Sequence, residues 1–60
     1  MTIFDLADIK AKEAFSSELH ACLKAGHTHD EAIMWAEDAA SDAYDHVMLH
    51  TKIDEEDNVI

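Results

Sequence analysis

The feature that most constrains the fold is the near-absence of residues that break helices. The 60-residue chain contains no proline and a single glycine, Gly26. Proline removes a backbone donor and glycine favours left-handed backbone, so these two residues mark many turns and helix ends. A chain whose only such residue stands near its middle is predicted to form two long helices that meet at Gly26.

Capping patterns on both sides of Gly26 support this division. The segment Thr28–Glu31 has the form of a capping box, in which the threonine and glutamate side chains satisfy free backbone N–H groups at the start of a helix. The segment Thr2–Asp5 repeats the pattern near the N-terminus. Lys24 lies just before Gly26, where a cation suits the negative end of the helix dipole.

These signals predict an all-α fold with helices over about 3–25 and 29–53. Two helices of equal length joined by two or three residues form an antiparallel αα-hairpin. Residues 1–53 then make one domain, and the acidic residues 54–60 are predicted to form a flexible tail. One face of the first helix is predicted to pack on the second helix, through Phe4, Ala7, Ala11, Ala14, Phe15, Cys22 and Ala25.

The second helix carries two apolar stripes. The first, which has heptad spacing, is predicted to pack on the first helix and comprises Ile33, Ala36, Ala40, Ala43, Val47 and His50. The other, here named the second seam, lies roughly 100° around the helix. Its members are Trp35, Ala39, Asp42, His46, Leu49 and Ile53.

A single hairpin of this size leaves the second seam uncovered, although a helix with two apolar stripes normally buries both. We therefore predict a homodimer of hairpins that forms a four-helix bundle. Scattered surface apolar residues and docking of a different protein remain as alternatives. The predicted dimer interface consists of Trp35, Ala39, His46, Leu49 and Ile53.

The charge is strongly acidic and unevenly placed. The chain contains fourteen acidic residues, four lysines and no arginine, for a net charge of −10. Most of this charge lies in residues 30–60, including a set here named the acidic face. Its members are Glu31, Asp38 and Asp45, which form a row at seven-residue spacing, together with Glu37 and Asp42.

The acidic face has two interpretations. It is either a solvated surface that keeps the protein soluble, or a surface that attracts a basic partner protein by imitating the charge of a nucleic acid. The scarcity of cations argues against nucleic-acid binding by this chain. The alternative of nucleic-acid binding rests only on three lysines of the first helix, Lys10, Lys12 and Lys24.

Five histidines raise the alternative of a metal-binding or pH-sensing module. His46 and His50 stand four residues apart and would face the same way on a helix, as a divalent metal requires. The glutamate that follows the first histidine in zinc metalloproteases is missing. We therefore predict that these histidines belong to an interface, and we predict no cofactor.

Catalysis is not predicted, because the sequence holds no nucleophile–base arrangement and no glycine-rich phosphate loop. Cys22 is interpreted as a small buried hydrophobe in a reducing compartment. With no signal peptide or membrane span recognisable in the sequence, we expect a cytoplasmic location, or the host cytoplasm for a viral protein. The predicted function is that of a regulator, inhibitor or adaptor that binds another protein, as phages and mobile elements encode.

Overall fold

The structure, a computed structural model that describes residues 1–60, contains two α-helices and no extended strand. Helix α1 spans Ile3–Lys24 and helix α2 spans His29–His50. They pack against each other along their lengths and form a rod of 45 × 15 × 13 Å. The predicted all-α hairpin is confirmed. Helix α1 ends one residue and α2 three residues earlier than predicted.

The caps at the two N-termini differ. At α1 the Thr2 hydroxyl accepts a hydrogen bond from the Asp5 N–H at 3.2 Å, and the Asp5 carboxylate accepts one from the Thr2 N–H at 3.4 Å. At α2 the Thr28 hydroxyl accepts from the Glu31 N–H at 3.2 Å. The reciprocal bond is missing there, because the Glu31 carboxylate contacts His27 instead. The predicted capping box at α2 is thus half formed.

Gly26 ends α1 in the way its position in the sequence predicts. Its φ angle is +95°, in the left-handed region that favours glycine. The Gly26 N–H donates to the Leu23 carbonyl and the His27 N–H donates to the Cys22 carbonyl, each at 3.1 Å. This pair of bonds is a Schellman motif, which satisfies carbonyls at the end of a helix and turns the chain toward α2.

The core is thin and is built mainly from small side chains. Because alanine has only a methyl group, alanines on facing sides of α1 and α2 allow the two backbones to approach closely. The largest buried side chain, that of Ile3, joins Ala7 and Val47 in a cluster against which Leu6, Tyr44, Met48 and Val59 pack. The buried residues are Ile3, Ala7, Cys22, Ala32, Ala36 and Val47.

The predicted packing face of α1 is wrong at both of its ends. Phe4 is 50% exposed, whereas Ile3 beside it is only 2% exposed. Adjacent helical residues point about 100° apart, and the C-terminal segment covers the side of the helix that carries Ile3. Ala25, the other predicted end of the face, is exposed beyond the last turn of α1.

The C-terminal segment folds back onto the N-terminus instead of extending α2. The Ile3 N–H donates to the Asp57 carbonyl at 2.7 Å, and the Val59 N–H donates to the Met1 carbonyl at 2.9 Å. The Asp54 carboxylate accepts hydrogen bonds from the N–H groups of Glu56 and Asn58, each at 2.9 Å, and so closes the turn. Residues 51–53 are therefore not helical as predicted. The flexibility of residues 54–60 stays a prediction.

Candidate functional site

The second seam lies on a side of α2 that α1 does not cover. Trp35 is 39% and Leu49 is 79% exposed, and Asp42 and His46 between them are exposed as well. Ala39 is half-buried. Ile53, which the sequence places on the seam, follows the end of α2 and pairs with Val59. The helical part of the seam thus runs from Trp35 to Leu49, roughly 21 Å at 1.5 Å per residue.

An open groove between the helices runs beside the middle of the second seam. Its volume is near 540 Å³. His46 lines it from α2, and Lys10, Glu13 and Ser17 line it from α1. Ala14, Ala43 and Val47 supply apolar lining. The middle of the seam itself is polar, with Asp42 and His46, whereas its two ends carry the large apolar side chains of Trp35 and Leu49.

Trp35 is held by a contact that the sequence analysis did not find. The His27 ring meets the Trp35 ring edge-on, with 4.4 Å between centroids and 86° between planes. Nδ1 of His27 lies 3.3 Å from Oε2 of Glu31. Residues 27, 31 and 35 are spaced four apart, so the helical repeat, continued one turn ahead of α2, could have indicated this contact.

Apolar exposure is concentrated at the end of the rod that holds both termini. The N-terminus, the end of α2 and the folded-back C-terminal segment meet there. The fold thus adds apolar surface from outside the helices to the Leu49 end of the second seam. The exposed large apolar residues at this end are Met1, Phe4, Leu49, Ile53 and Ile60.

The acidic face is exposed and nearly free of cations. Glu31, Asp38 and Asp45 form their row along α2, and only Glu31 contacts a basic side chain, the imidazole of His27. Asp42, which also belongs to the second seam, lies beside this row. Glu37 is exposed too, but it points roughly 100° away from Asp38 around the helix. The structure therefore groups four of the five predicted acidic residues and separates Glu37 from them.

The lysines do not neutralise the acidic face. Nζ of Lys10 lies 3.6 Å from Glu13, and Nζ of Lys12 lies 3.0 Å from Asp8, so both pairs form within α1. Because two of the three lysines of α1 have carboxylate neighbours, phosphate groups would have to compete for them. No lysine forms an ion pair with the row on α2.

Three of the five histidines make ring contacts, and these contacts lie in two separate places on α2. The rings of His46 and His50 lie 4.5 Å apart at an angle of 36°, while His27 packs on Trp35 at the other end of α2. No group of three or more histidine, cysteine, aspartate or glutamate side chains is placed to hold a metal ion. A metal at His46 and His50 would need further ligands from another molecule.

Cys22 is buried, as predicted, and is a free thiol. Burial raises the pKa of its thiol, and so do the hydrogen bond that the thiol donates to Glu18 and the negative charge of that carboxylate. The distance from Sγ to Oε1 of Glu18 is 3.5 Å. The thiol is thereby kept in its protonated, less nucleophilic form.

Comparisons with known proteins identify no relative. No family model, no curated protein and no solved structure matches the chain. Neither α1 nor α2 combines the length and the hydropathy that crossing a bilayer requires. What the protein does is therefore inferred from the second seam and the acidic face.

Proposed function

We propose that this protein is a non-catalytic binding module that modulates another protein through the acidic face of α2. The observation that carries the proposal is the row of exposed carboxylates at Glu31, Asp38 and Asp45, with which no lysine forms an ion pair and of which only Glu31 contacts an imidazole, that of His27. The action on the partner, as regulator, inhibitor or adaptor, and an origin in a phage or mobile element stay predictions from size and composition.

The chemistry of the row selects a basic partner. Exposed charges of one sign create a potential that steers oppositely charged proteins and accelerates their encounter. At physiological ionic strength this potential decays over roughly 8 Å, so the partner's cations must come close to α2. A nucleic-acid-binding protein offers such a surface, and the carboxylates would occupy the place of phosphates on it.

The second seam supports self-association in addition. Covering Trp35 and Leu49 with another surface would lower the free energy of the protein, because it removes their apolar area from water. A stable interface buries at least roughly 600 Å² on each partner, a modest share of the 4409 Å² exposed by one hairpin. We propose that a second copy supplies this cover and completes a four-helix bundle, which leaves the acidic row at the rim of the interface.

Neutralising the row is expected to weaken binding of the basic partner. The variant carries Glu31→Gln, Asp38→Asn and Asp45→Asn. The partner is first isolated on the immobilised wild-type protein, and its affinity is then measured with purified components. Rim charges act mainly on association rate and salt dependence, so we expect a loss of at least about tenfold at low salt.

The matched control removes three other carboxylates, with Glu13→Gln, Glu55→Gln and Glu56→Gln. It has the same net charge as the row variant, but its changes lie on α1 and in the C-terminal segment. It should bind nearly as well as wild type. Equal losses in both variants would show that only net charge matters, and an affinity insensitive to salt would refute the electrostatic proposal.

A further inference from the structure

The middle of the second seam has the same spacing when read in either direction. Its four middle positions, Ala39, Asp42, His46 and Leu49, all lie on α2 and advance in steps of three, four and three residues, so the reverse reading gives the same steps. A twofold interface uses the same surface patch on both subunits. In an antiparallel pair of α2 helices centred on Tyr44, each of these four positions therefore meets one of the four positions of the second copy.

The pairs that this register creates are chemically complementary. Asp42 of each copy meets His46 of the other, so a carboxylate faces an imidazole that can donate a hydrogen bond to it. Ala39 meets Leu49, which places one of the smallest side chains opposite the most exposed seam residue. Trp35 of each copy lies opposite position 53 of the other copy, beyond the end of that copy's α2 helix at His50.

A parallel register would produce poor pairs from the same residues. Each position would then meet itself, so that Asp42 would lie against Asp42 and Trp35 against Trp35. Like charges placed directly opposite each other are unfavourable, and two facing Ala39 side chains would leave a gap beside two bulky tryptophans. The alternation of small with large and of acid with imidazole favours the antiparallel arrangement.

We infer that the second seam binds the second seam of another copy of this chain in antiparallel register, with Asp42 of each copy against His46 of the other. This inference rests on the self-association in the proposed function and adds the orientation and the contacts. The arrangement gives two Asp42–His46 pairs near the twofold axis. The large apolar residues of both copies lie farther out.

Disulfide trapping tests the register without changing Asp42 or His46. Two variants, Ala39→Cys and Leu49→Cys, are made in a Cys22→Ala background, mixed in equal amounts and oxidised mildly. A disulfide needs Cα atoms about 4.4–6.8 Å apart, so the antiparallel register joins the two different variants. We expect the mixed disulfide to exceed both same-variant disulfides several-fold, as resolved by intact-protein mass spectrometry.

A third variant, Glu37→Cys in the same background, gives the level of disulfide formed by random collision, because Glu37 points away from the second seam. Circular dichroism confirms that each variant is helical. Same-variant disulfides in excess would overturn the antiparallel register and leave dimerisation intact. If the mixed disulfide were no more abundant than the disulfide of the Glu37→Cys control, both the antiparallel register and dimerisation through the second seam would be overturned. Binding through the acidic face is tested separately, by the variants of Glu31, Asp38 and Asp45.

Discussion

Replacing Ile3 with alanine is expected to lower the free energy of unfolding by about 2–5 kcal/mol. Ile3 is the largest side chain in the buried cluster with Ala7 and Val47, and it is 2% exposed. A chain of this size has roughly 3–9 kcal/mol of stability in total. Because this loss is a large share of the total, much of the hairpin should lose its helicity, as followed by circular dichroism during urea unfolding.

Two substitutions on α1 serve as controls for Ile3→Ala. Ile9→Ala removes the same atoms from a side chain that is 41% exposed, and Phe4→Ala removes a larger one that is half exposed. Each should cost less than Ile3→Ala at the same protein concentration. A greater loss from Phe4→Ala than from Ile3→Ala would contradict the observed packing and favour the face predicted from sequence.

Replacing Trp35 with alanine is expected to raise the dissociation constant of the dimer at least roughly 30-fold, the effect of an interface hot spot worth about 2 kcal/mol. Tryptophan has the largest side chain on the second seam and is held in place by His27. It is also far enough from the buried cluster that the hairpin should stay helical. Sedimentation equilibrium of wild type and variant measures the change.

Met34→Ala is the matched control for Trp35→Ala. Met34 is the next residue along α2, is exposed and points away from the second seam. Its loss should leave the dissociation constant almost unchanged. If both substitutions weakened association equally, the second seam would not be the interface. If neither weakened it, some other surface, such as the apolar end at the termini, would hold the dimer.

The sequence predicts the helices and their junction well, because those depend on local chemistry. A single glycine in a chain without proline determines where α1 ends, and the Schellman bonds around Gly26 follow from its left-handed backbone. Most of the packing stripe of α2 is predicted for the same reason, although His50 at its predicted end is exposed and Ala32, which the prediction left out, is buried. Ala36 and Val47 lie on a helical repeat that faces α1, and both are buried.

The sequence misses what depends on contacts between distant residues. The burial of Ile3 instead of Phe4 follows from the return of Asp57 and Val59 to the N-terminus, which no periodic pattern encodes. The seam predicted through Ile53 stops at Leu49, because the Asp54 carboxylate closes a turn beyond α2. An aspartate at the start of such a turn is a local sequence signal for it, although unstructured acidic tails also contain aspartates.

The acidic face shows the same division between local and distant effects. The row of Glu31, Asp38 and Asp45 follows from spacing alone. The lack of lysines that neutralise this row does not follow from spacing, because Lys10 and Lys12 form ion pairs with carboxylates of their own helix. The contact of His27 with Trp35 depends on how the chain enters α2, and it gives the end of the second seam a fixed shape.

Sedimentation equilibrium of the full chain over a range of salt tests the central claim, that the second seam of α2 binds a second copy. Between roughly 50 and 500 mM salt, screening weakens the repulsion between two chains of like charge. Each chain carries a net charge of −10. We predict a species of twice the 6.7 kDa chain mass at micromolar concentration, with a dimer fraction that rises with salt. A helical 6.7 kDa monomer at every salt concentration would contradict the claim.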